Sequence, residues 1–313
     1  MKVTDRNGQT IRMTSATVAT VGFFDGVHRG HQYLIRQVAE EARRRGLASL
    51  LVTFPQHPAQ VLRPDAAKPL LTTADEKRER LAMSGADYVA MLPFTAELAR
   101  LSAREFMADV LLQQLHVQVL LVGYDHRFGR NRAEGFDDYV RIGRELGIEV
   151  KAADALLLSS SAVSSSLVRS HLLAGDVEKA NEWLGYDYFL DGHVVDGFHV
   201  GRTIGYPTAN VQPDCAAKLV PHDGAYAVRV TLADGSEVLG MLNIGCRPTL
   251  DNGTARSIEV HLLDFHADLY AQRIRVHFLR FLRPEQRFAS VEALRQQLEA
   301  DERAVRAMGG CGQ

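Results

Sequence analysis

Two histidines three residues apart, His28 and His31, sit in a run punctuated by glycine: Gly22-Phe-Phe-Asp-Gly-Val-His-Arg-Gly-His31. At the mouth of a helix this spacing puts both imidazoles on one side. Free N–H groups and the positive end of the helix dipole point the same way there, so the junction can hold phosphate. Imidazoles beside it could donate hydrogen bonds to a polyphosphate whose charge shifts during reaction. Gly22, Gly26 and Gly30 permit close backbone approach. Further along, Ser164, Ser165 and Ser166 open a helical pattern with Arg169 behind them. Hydroxyls, helix-start N–H groups and a guanidinium are the parts of a phosphate clamp. Thr208 and Asn210 lie two apart and share one face of an extended chain. A hydroxyl and an amide oxygen on one face suit a hard cation such as Mg²⁺. Glu259 stands amid Ser257-Ile-Glu-Val-His-Leu-Leu-Asp264, a strand pattern that puts it on the face of His261.

Each group has a plainer reading. The histidines could be solvated residues of a strand–helix turn. The serine run could be an N-cap on a flexible connector that starts at Ser159, with Arg169 an ordinary surface residue. Asp125, in a Gly-flanked turn, could bind its own backbone. Arg127, Arg130 and Arg132 could be a solvated loop face. Pro207–Asn210 alone reads as a Gly/Pro turn feeding a strand, and Glu259 as a solvent-facing carboxylate.

The elements that must position these residues alternate in the first half. Thr17–Val21, Ala48–Phe54, Tyr88–Phe94, Val117–Val122 and a short Ile148–Val150 read as strands. A helical pattern with Leu34, Ile35, Val38, Ala39 and Ala42 on one face follows the glycine run. Capping boxes at Thr73–Glu76 and Ser102–Glu105 open two more helices, the second ending near Leu115. This order predicts an α/β domain, a Rossmann-like parallel sheet covered on both sides. Ligands sit at the C-terminal ends of such strands. Four segments fall there: Gly22–His31, Phe54–Pro58 with His57, Gly123–Arg132 with Asp125, and Ser164–Arg169. Gly185 ends a helix over Val177–Leu184, and the periodicity then turns strand-like. The predicted domains are therefore 1–185 and 186–313. The second domain reads as short antiparallel strands, with a hairpin over Gly224–Leu232 and Glu237–Ile244. Closure into a small β-barrel removes exposed edges, and an amphipathic stretch from Ser290 to Met308 reads as a terminal helix packed on it.

The bulk numbers exclude several classes. The chain has 313 residues, 46% hydrophobic and 24% charged, in the range of an ordinary globular protein. A net charge of −2 gives no basis for nucleic-acid or membrane binding. No apolar run approaches a membrane span. The polar start, Met1 to Thr10, does not resemble a signal peptide. Cys215, Cys246 and Cys311 are scattered, without metal-ligand spacing, and imply free thiols in the cytoplasm. The expected state is a monomer or weak homo-oligomer.

The motifs resemble a known family. His28-Arg29-Gly30-His31 looks like the His-x-Gly-His motif of adenine nucleotide α-phosphate transferases. With Phe24-Asp25-Gly26 ahead of it, the stretch resembles the bacterial bifunctional riboflavin kinase/FMN adenylyltransferases, or FAD synthetases. Ser164-Ser-Ser-Leu-Val-Arg169 is similar to that family's Ser-Ser-Thr-x-Ile-Arg signature, with Ser166 for Thr and Val168 for Ile. Gly123–Gly129 resembles its second loop, with His126 where the family has Phe. Pro207-Thr-Ala-Asn210 matches the riboflavin kinase signature. Gly192–Gly205, with Gly201, Arg202 and Gly205, matches that family's Gly-rich flap over ATP, and Met241–Thr249 a further segment. The resemblance implies a bifunctional enzyme. Its N-terminal domain would transfer AMP from ATP to FMN, giving FAD and pyrophosphate. Its C-terminal domain would phosphorylate riboflavin to FMN. By the same resemblance His28 and His31 meet the ATP phosphates, helped by Ser164–Arg169. Asp125 and His57 lie on the ribose or flavin side. Thr208 and Asn210 hold Mg²⁺ and ATP, and Glu259 is the base for the riboflavin 5′-hydroxyl. Loss of one activity, or a flavin sensor without turnover, are the alternatives. The sensor does not need both the histidine pair and Glu259.

Overall fold

The computed structural model of the chain describes residues 2–57, 61, 68–123, 126–158, 161–196, 205–248 and 254–309. Asp125, Gly201 and Arg202, three of the expected site residues, lie outside them. The chain forms two compact units, Met1–Ser165 and Ser166–Gln313.

In the first unit, β1 (Lys2–Asp5), β2 (Thr10–Ile11), β3 (Thr17–Val21), β4 (Ala48–Thr53), β5 (Tyr88–Met91), β6 (Val117–Val122) and β7 (Glu149–Ala152) form one sheet. Its order is β2-β1-β5-β4-β3-β6-β7. The pairs among β3 to β7 are all parallel. All five residues of β3 are buried. Ala19 and Val21 pack with Val52, Met107 and Leu120 on one face. Val18 packs with Val38 and Ala42 on the other. Each of the valine, leucine and methionine side chains contributes about 1.5–3 kcal/mol on burial. The polar start of the chain, for which the sequence predicted no strand, adds β1 antiparallel to β5 and β2 antiparallel to β1. Main-chain hydrogen bonds on both sides hold β1, so it needs few apolar residues; Val3 is buried there at 4% exposure.

Helix α1 (Arg29–Arg45) leaves β3 through the glycine run. His28 caps it: its Nδ1 accepts the His31 N–H at 3.3 Å. Gly46 ends it with φ 67°, donating to the Ala42 and Arg43 carbonyls. Helix α2 (Ala74–Ala82) carries the expected reciprocal capping box between Thr73 and Glu76. After α3 (Ala96–Arg100), α4 (Ala103–Glu105) also has its box, then runs on as a π-helix over Phe106–Gln114. Propensity predicts an α-helix to Leu115; instead the Leu115 N–H reaches back five residues to the Val110 carbonyl. Helix α5 (Phe136–Leu146) buries Tyr139. Leu157–Leu158 and Ser161–Ala162 make a two-strand ribbon, β8–β9, ahead of the serines.

Helices α6 (Ser165–Leu173) and α7 (Val177–Leu184) fall almost wholly in the second unit. They pack on its strands: Asn181 Nδ2 donates to the Phe278 carbonyl at 2.8 Å, and the His222 N–H to the Leu172 carbonyl at 2.9 Å. The compact units thus part before Gly185, which is the C-cap of α7. The remaining strands are β10 (Phe189–Val195), β11 (Ala209–Pro213), β12 (Gly224–Thr231), β13 (Glu237–Pro248), β14 (Thr254–Leu262) and β15 (Arg273–Arg283). They close into an antiparallel barrel, β10-β11-β14-β13-β12-β15. Helix α8 (Val291–Gly309) follows, and its Val305 is fully buried with Ala227 and Met241.

Candidate active sites

The glycine run is a tight knot at the C-terminal end of β3. A Cβ on Gly22 would stand 2.8 Å from the Phe24 ring. Gly22 therefore lets Phe24, at φ 52°, fold back into the core, where it is 2% exposed. Asp25 is 3% exposed, and its carboxylate accepts the backbone N–H groups of Leu71, at 3.0 and 3.1 Å, and of Thr72, at 3.0 Å. The Thr72 hydroxyl accepts the Gly26 N–H at 3.0 Å. Phe24 and Asp25, expected to meet a nucleotide, are thus built into the loop's support. Ser165 Oγ donates to the Asp25 carbonyl at 2.9 Å, which brings the serine segment to the glycine run. Gly30 completes the joint: a Cβ there would lie 3.1 Å from the Val163 carbonyl and 3.2 Å from the His28 ring. Ser164 is half-buried beside it, while Ser166 and Arg169 follow on α6 and belong with the second unit.

The rings of His28 and His31 stack at 3.6 Å with planes 15° apart. His28 is 4% exposed. Because its Nδ1 accepts the cap hydrogen bond, a neutral His28 carries its proton on Nε2. Burial, then the neighbouring His28, Lys77 and His126, hold the His31 pKa well below the ordinary histidine value. His31 is therefore neutral at pH 7.

Behind the pair lies Lys77, fully buried on α2. Its Nζ donates to the Phe23 carbonyl at 3.0 Å and the Phe54 carbonyl at 2.6 Å, and stands 3.5 Å from the Phe23 ring centroid. It ties the chain just past β3 to the chain just past β4. Burial pushes its pKa down to about 7, against the pull of Asp25. Phe23, Phe54, His57, Phe94, Phe128 and Arg132 line a cavity of about 550 Å³ at those strand ends. His57 packs edge-on against Phe23 at 4.5 Å. Tyr139 stacks on Phe128 at 4.2 Å, accepts its N–H and donates to its carbonyl, fixing the loop on the far wall. Lys77 and the phenylalanines went unnoticed in the sequence. A lysine in a charged helix reads as solvated, and phenylalanines at strand ends read as core.

In the second unit the expected residues come together on the barrel wall. Asn210 on β11 pairs with Glu259 on β14, and Glu259 with Asn243 on β13. Directly paired residues of adjacent strands project to one face, so amide, carboxylate and amide form a row. Thr208 Oγ1 donates to Glu259 Oε2 at 3.2 Å, and Ser257 Oγ to Oε1 at 3.4 Å. Glu259 is half-buried. Thr208 and Asn210 border a cavity of about 710 Å³ with Asp196, His266, Asp268 and Tyr270. Gly205 takes φ 88°, a turn conformation that favours glycine. Asn243 was missed; it sits in the Met241–Thr249 stretch, where only its register with Glu259 distinguishes it. The Thr208 hydroxyl and the Asn210 amide oxygen are hard donors, the kind that suits Mg²⁺.

Among the described residues no helix is long and apolar enough to cross a membrane. A family model described as FAD synthetase matches residues 10–167, and one described as riboflavin kinase matches residues 184–308. The bifunctional riboflavin kinase/FMN adenylyltransferase of Pseudomonas fluorescens is 41% identical, over 93% of this chain and 92% of the relative. That of Escherichia coli K12 is 38% identical, over 94% and 93%. A crystal structure described as a macrolide-efflux protein from Streptococcus pneumoniae superposes with a TM-score of 0.85 at 30% identity. It covers 96% of this chain and 97% of that one. With both halves matched in order and nearly the full length shared, this chain belongs to the bifunctional riboflavin kinase/FMN adenylyltransferase family.

Proposed function

We propose that the chain makes FAD in two steps, each on its own unit. At the barrel, riboflavin is phosphorylated to FMN by ATP. At the parallel-sheet unit, FMN is adenylylated by a second ATP with release of pyrophosphate. The observation that carries this reading is the cluster of Thr208, Asn210 and Glu259: the Thr208 hydroxyl bonds Glu259, and Asn210 is its register partner on the neighbouring strand.

At the barrel, Glu259 takes the proton of the riboflavin 5′-hydroxyl as its oxygen attacks the γ-phosphorus, and ADP leaves. Two hydroxyl donors hold this half-buried carboxylate oriented for that task. Thr208 and Asn210 are the residues that would hold Mg²⁺, which would neutralise phosphate charge when bound. At the sheet unit an FMN phosphate oxygen attacks the α-phosphorus in line. Such transfers need alignment and charge stabilisation rather than covalent help. The Nε2–H of His28 and the neutral His31 donate to phosphate oxygens, and the aromatic cavity with His57 takes the flavin. Asp125 is assigned to this side by family resemblance alone. The functional division is placed near Gly185, with the α6 and α7 segment serving as the join.

Incubation with riboflavin, ATP and Mg²⁺, followed by chromatographic separation of the flavins, tests this. FMN and FAD should both appear. FMN alone would remove the sheet-unit assignment, and unchanged riboflavin would remove the barrel assignment.

A further inference from the structure

The Pro207–Asn210 segment is fixed at its start by side chains rather than by strand pairing. The ladder between β11 and β14 runs Asn210 to Glu259 and Ala209 to Val260, and β11 begins there. Pro207 has no N–H with which to extend it. Instead three side-chain contacts hold residues 206 to 208. Thr208 donates to Glu259. His261 Nδ1 lies 2.7 Å from the Pro207 carbonyl. The Tyr206 hydroxyl donates to Glu302 Oε2 of α8 at 3.1 Å. The Tyr206 ring also stands edge-on to His261, 5.2 Å between centroids.

A carbonyl only accepts, so the His261 Nδ1 carries the proton. Glu259 and His261 are two apart on β14 and project to the same face. One strand thus supplies both anchors: a carboxylate for the Thr208 hydroxyl and an imidazole for the carbonyl one residue before it.

We propose that His261 is a positioning residue for the kinase step. Its Nδ1–H holds the Pro207 carbonyl so that the Thr208 hydroxyl stays on Glu259. This rests on the reading of Thr208 and Glu259 as the kinase site. His261 itself touches no reacting atom in this scheme. Losing its donor should therefore lower kcat for riboflavin phosphorylation and leave the KM for riboflavin nearly unchanged.

Three variants separate the hydrogen bond from the ring. His261→Asn keeps an N–H donor at the δ position; His261→Gln moves the donor one atom further out; His261→Leu removes it. All three lose the ring against Tyr206. Expected kcat is within about threefold of the unaltered chain for Asn, and at least tenfold lower for Gln and Leu. The KM for riboflavin should stay within about threefold throughout. Trp183, the single tryptophan, is buried in the same unit, so its emission reports whether each variant is folded. If Leu unfolds the unit, the contrast between Asn and Gln decides alone. A ¹⁵N-labelled chain should show a protonated Nδ1 of one histidine that His261→Gln deletes. Equal losses in all three variants, or none in any, would overturn the proposal. A Glu259→Gln chain with normal kinase rates would instead overturn the underlying site, which keeps the two failures distinct.

Discussion

The imidazoles of His28 and His31 lie face to face, 3.6 Å between centroids, and only one of them can be the helix cap. Two positive rings at that distance would repel. The arrangement is stable because His31 is held neutral. Its Nδ1 is buried with no hydrogen-bond partner among the described residues. Burial sets its low pKa, and the charge of Lys77 behind it adds to the effect. The site therefore does not present phosphate with two cationic rings, because His31 is neutral.

Removing both donors tests that account. In a His28→Ala, His31→Ala chain, conversion of supplied FMN to FAD should fall about 10²–10⁴-fold, the range for lost acid–base or oxyanion donors. Riboflavin phosphorylation should be unaffected. Undiminished FAD formation, read by chromatography, would remove both residues from the reaction.

Lys77 makes the first unit's stability depend on alkaline pH. Its folded pKa, about 7, lies below the ordinary value of 10.5 that the unfolded chain retains. Between those two values the unfolded state holds a proton that the native lysine has released. Stability therefore rises as pH increases through this window, by up to about 1.4 kcal/mol per unit from this group. Lys77→Met should flatten that slope. Calorimetric midpoints at about pH 7.5 and pH 9, taken for both chains, give the comparison. A slope identical in the two would mean that Lys77 keeps its charge in the fold. Its two carbonyl contacts and the Phe23 ring are the interactions that would do so.

Much of this was legible in the sequence, and the omissions have physical causes. The parallel sheet, both capping boxes, the Gly185 stop and the barrel hairpin follow from periodicity and local chemistry, which act over a few residues. Thr208–Asn210 and Glu259 were picked as separate motifs; only strand register, a long-range property, sets Asn210 beside Glu259 and brings the Thr208 hydroxyl to its carboxylate. Asn243 and Lys77 depend wholly on that kind of information. Asp25 and Phe24 show the same limit from the other side. Their motif marks the place, but only the fold shows that the Asp25 carboxylate accepts from Leu71 and Thr72 and that Phe24 packs in the core. A motif names a place in the fold, and the packing decides which of its residues face a ligand.

The row on the barrel makes a graded prediction. Glu259→Gln should reduce FMN formation by at least about 100-fold while supplied FMN still becomes FAD. Asn243→Leu keeps the carboxylate and removes one polar neighbour from the row, so a loss of about tenfold is expected, with FAD formation from FMN again unchanged. A larger effect from Asn243→Leu than from Glu259→Gln would mean that the amide, and not the carboxylate, is the group the reaction depends on.

Gly30 tests whether the histidine pair depends on its tight seat. A methyl group there would meet the Val163 carbonyl at 3.1 Å and the His28 ring, at Cε1 and Nδ1, at 3.2 Å. Those contacts are short by only a few tenths of an ångström, and residue 30 is in ordinary helix, so alanine costs no backbone strain. The chain should fold, with a loss below about 2 kcal/mol. What must give is the ring, because the Val163 backbone runs straight into Ser164 and Ser165, and Ser165 is bonded to the Asp25 carbonyl. His28 would tilt out of its stack with His31 and weaken the cap bond to the His31 N–H. Gly30→Ala should therefore cut FMN adenylylation by about 10–100-fold at nearly normal thermal stability, since a displacement of a few tenths of an ångström to one ångström is enough to misalign a transfer of this kind. Kinetics and a melting curve on the same preparation decide it: full activity would show that the pair tolerates displacement, and a large fall in melting temperature would move the effect from the ring to the fold.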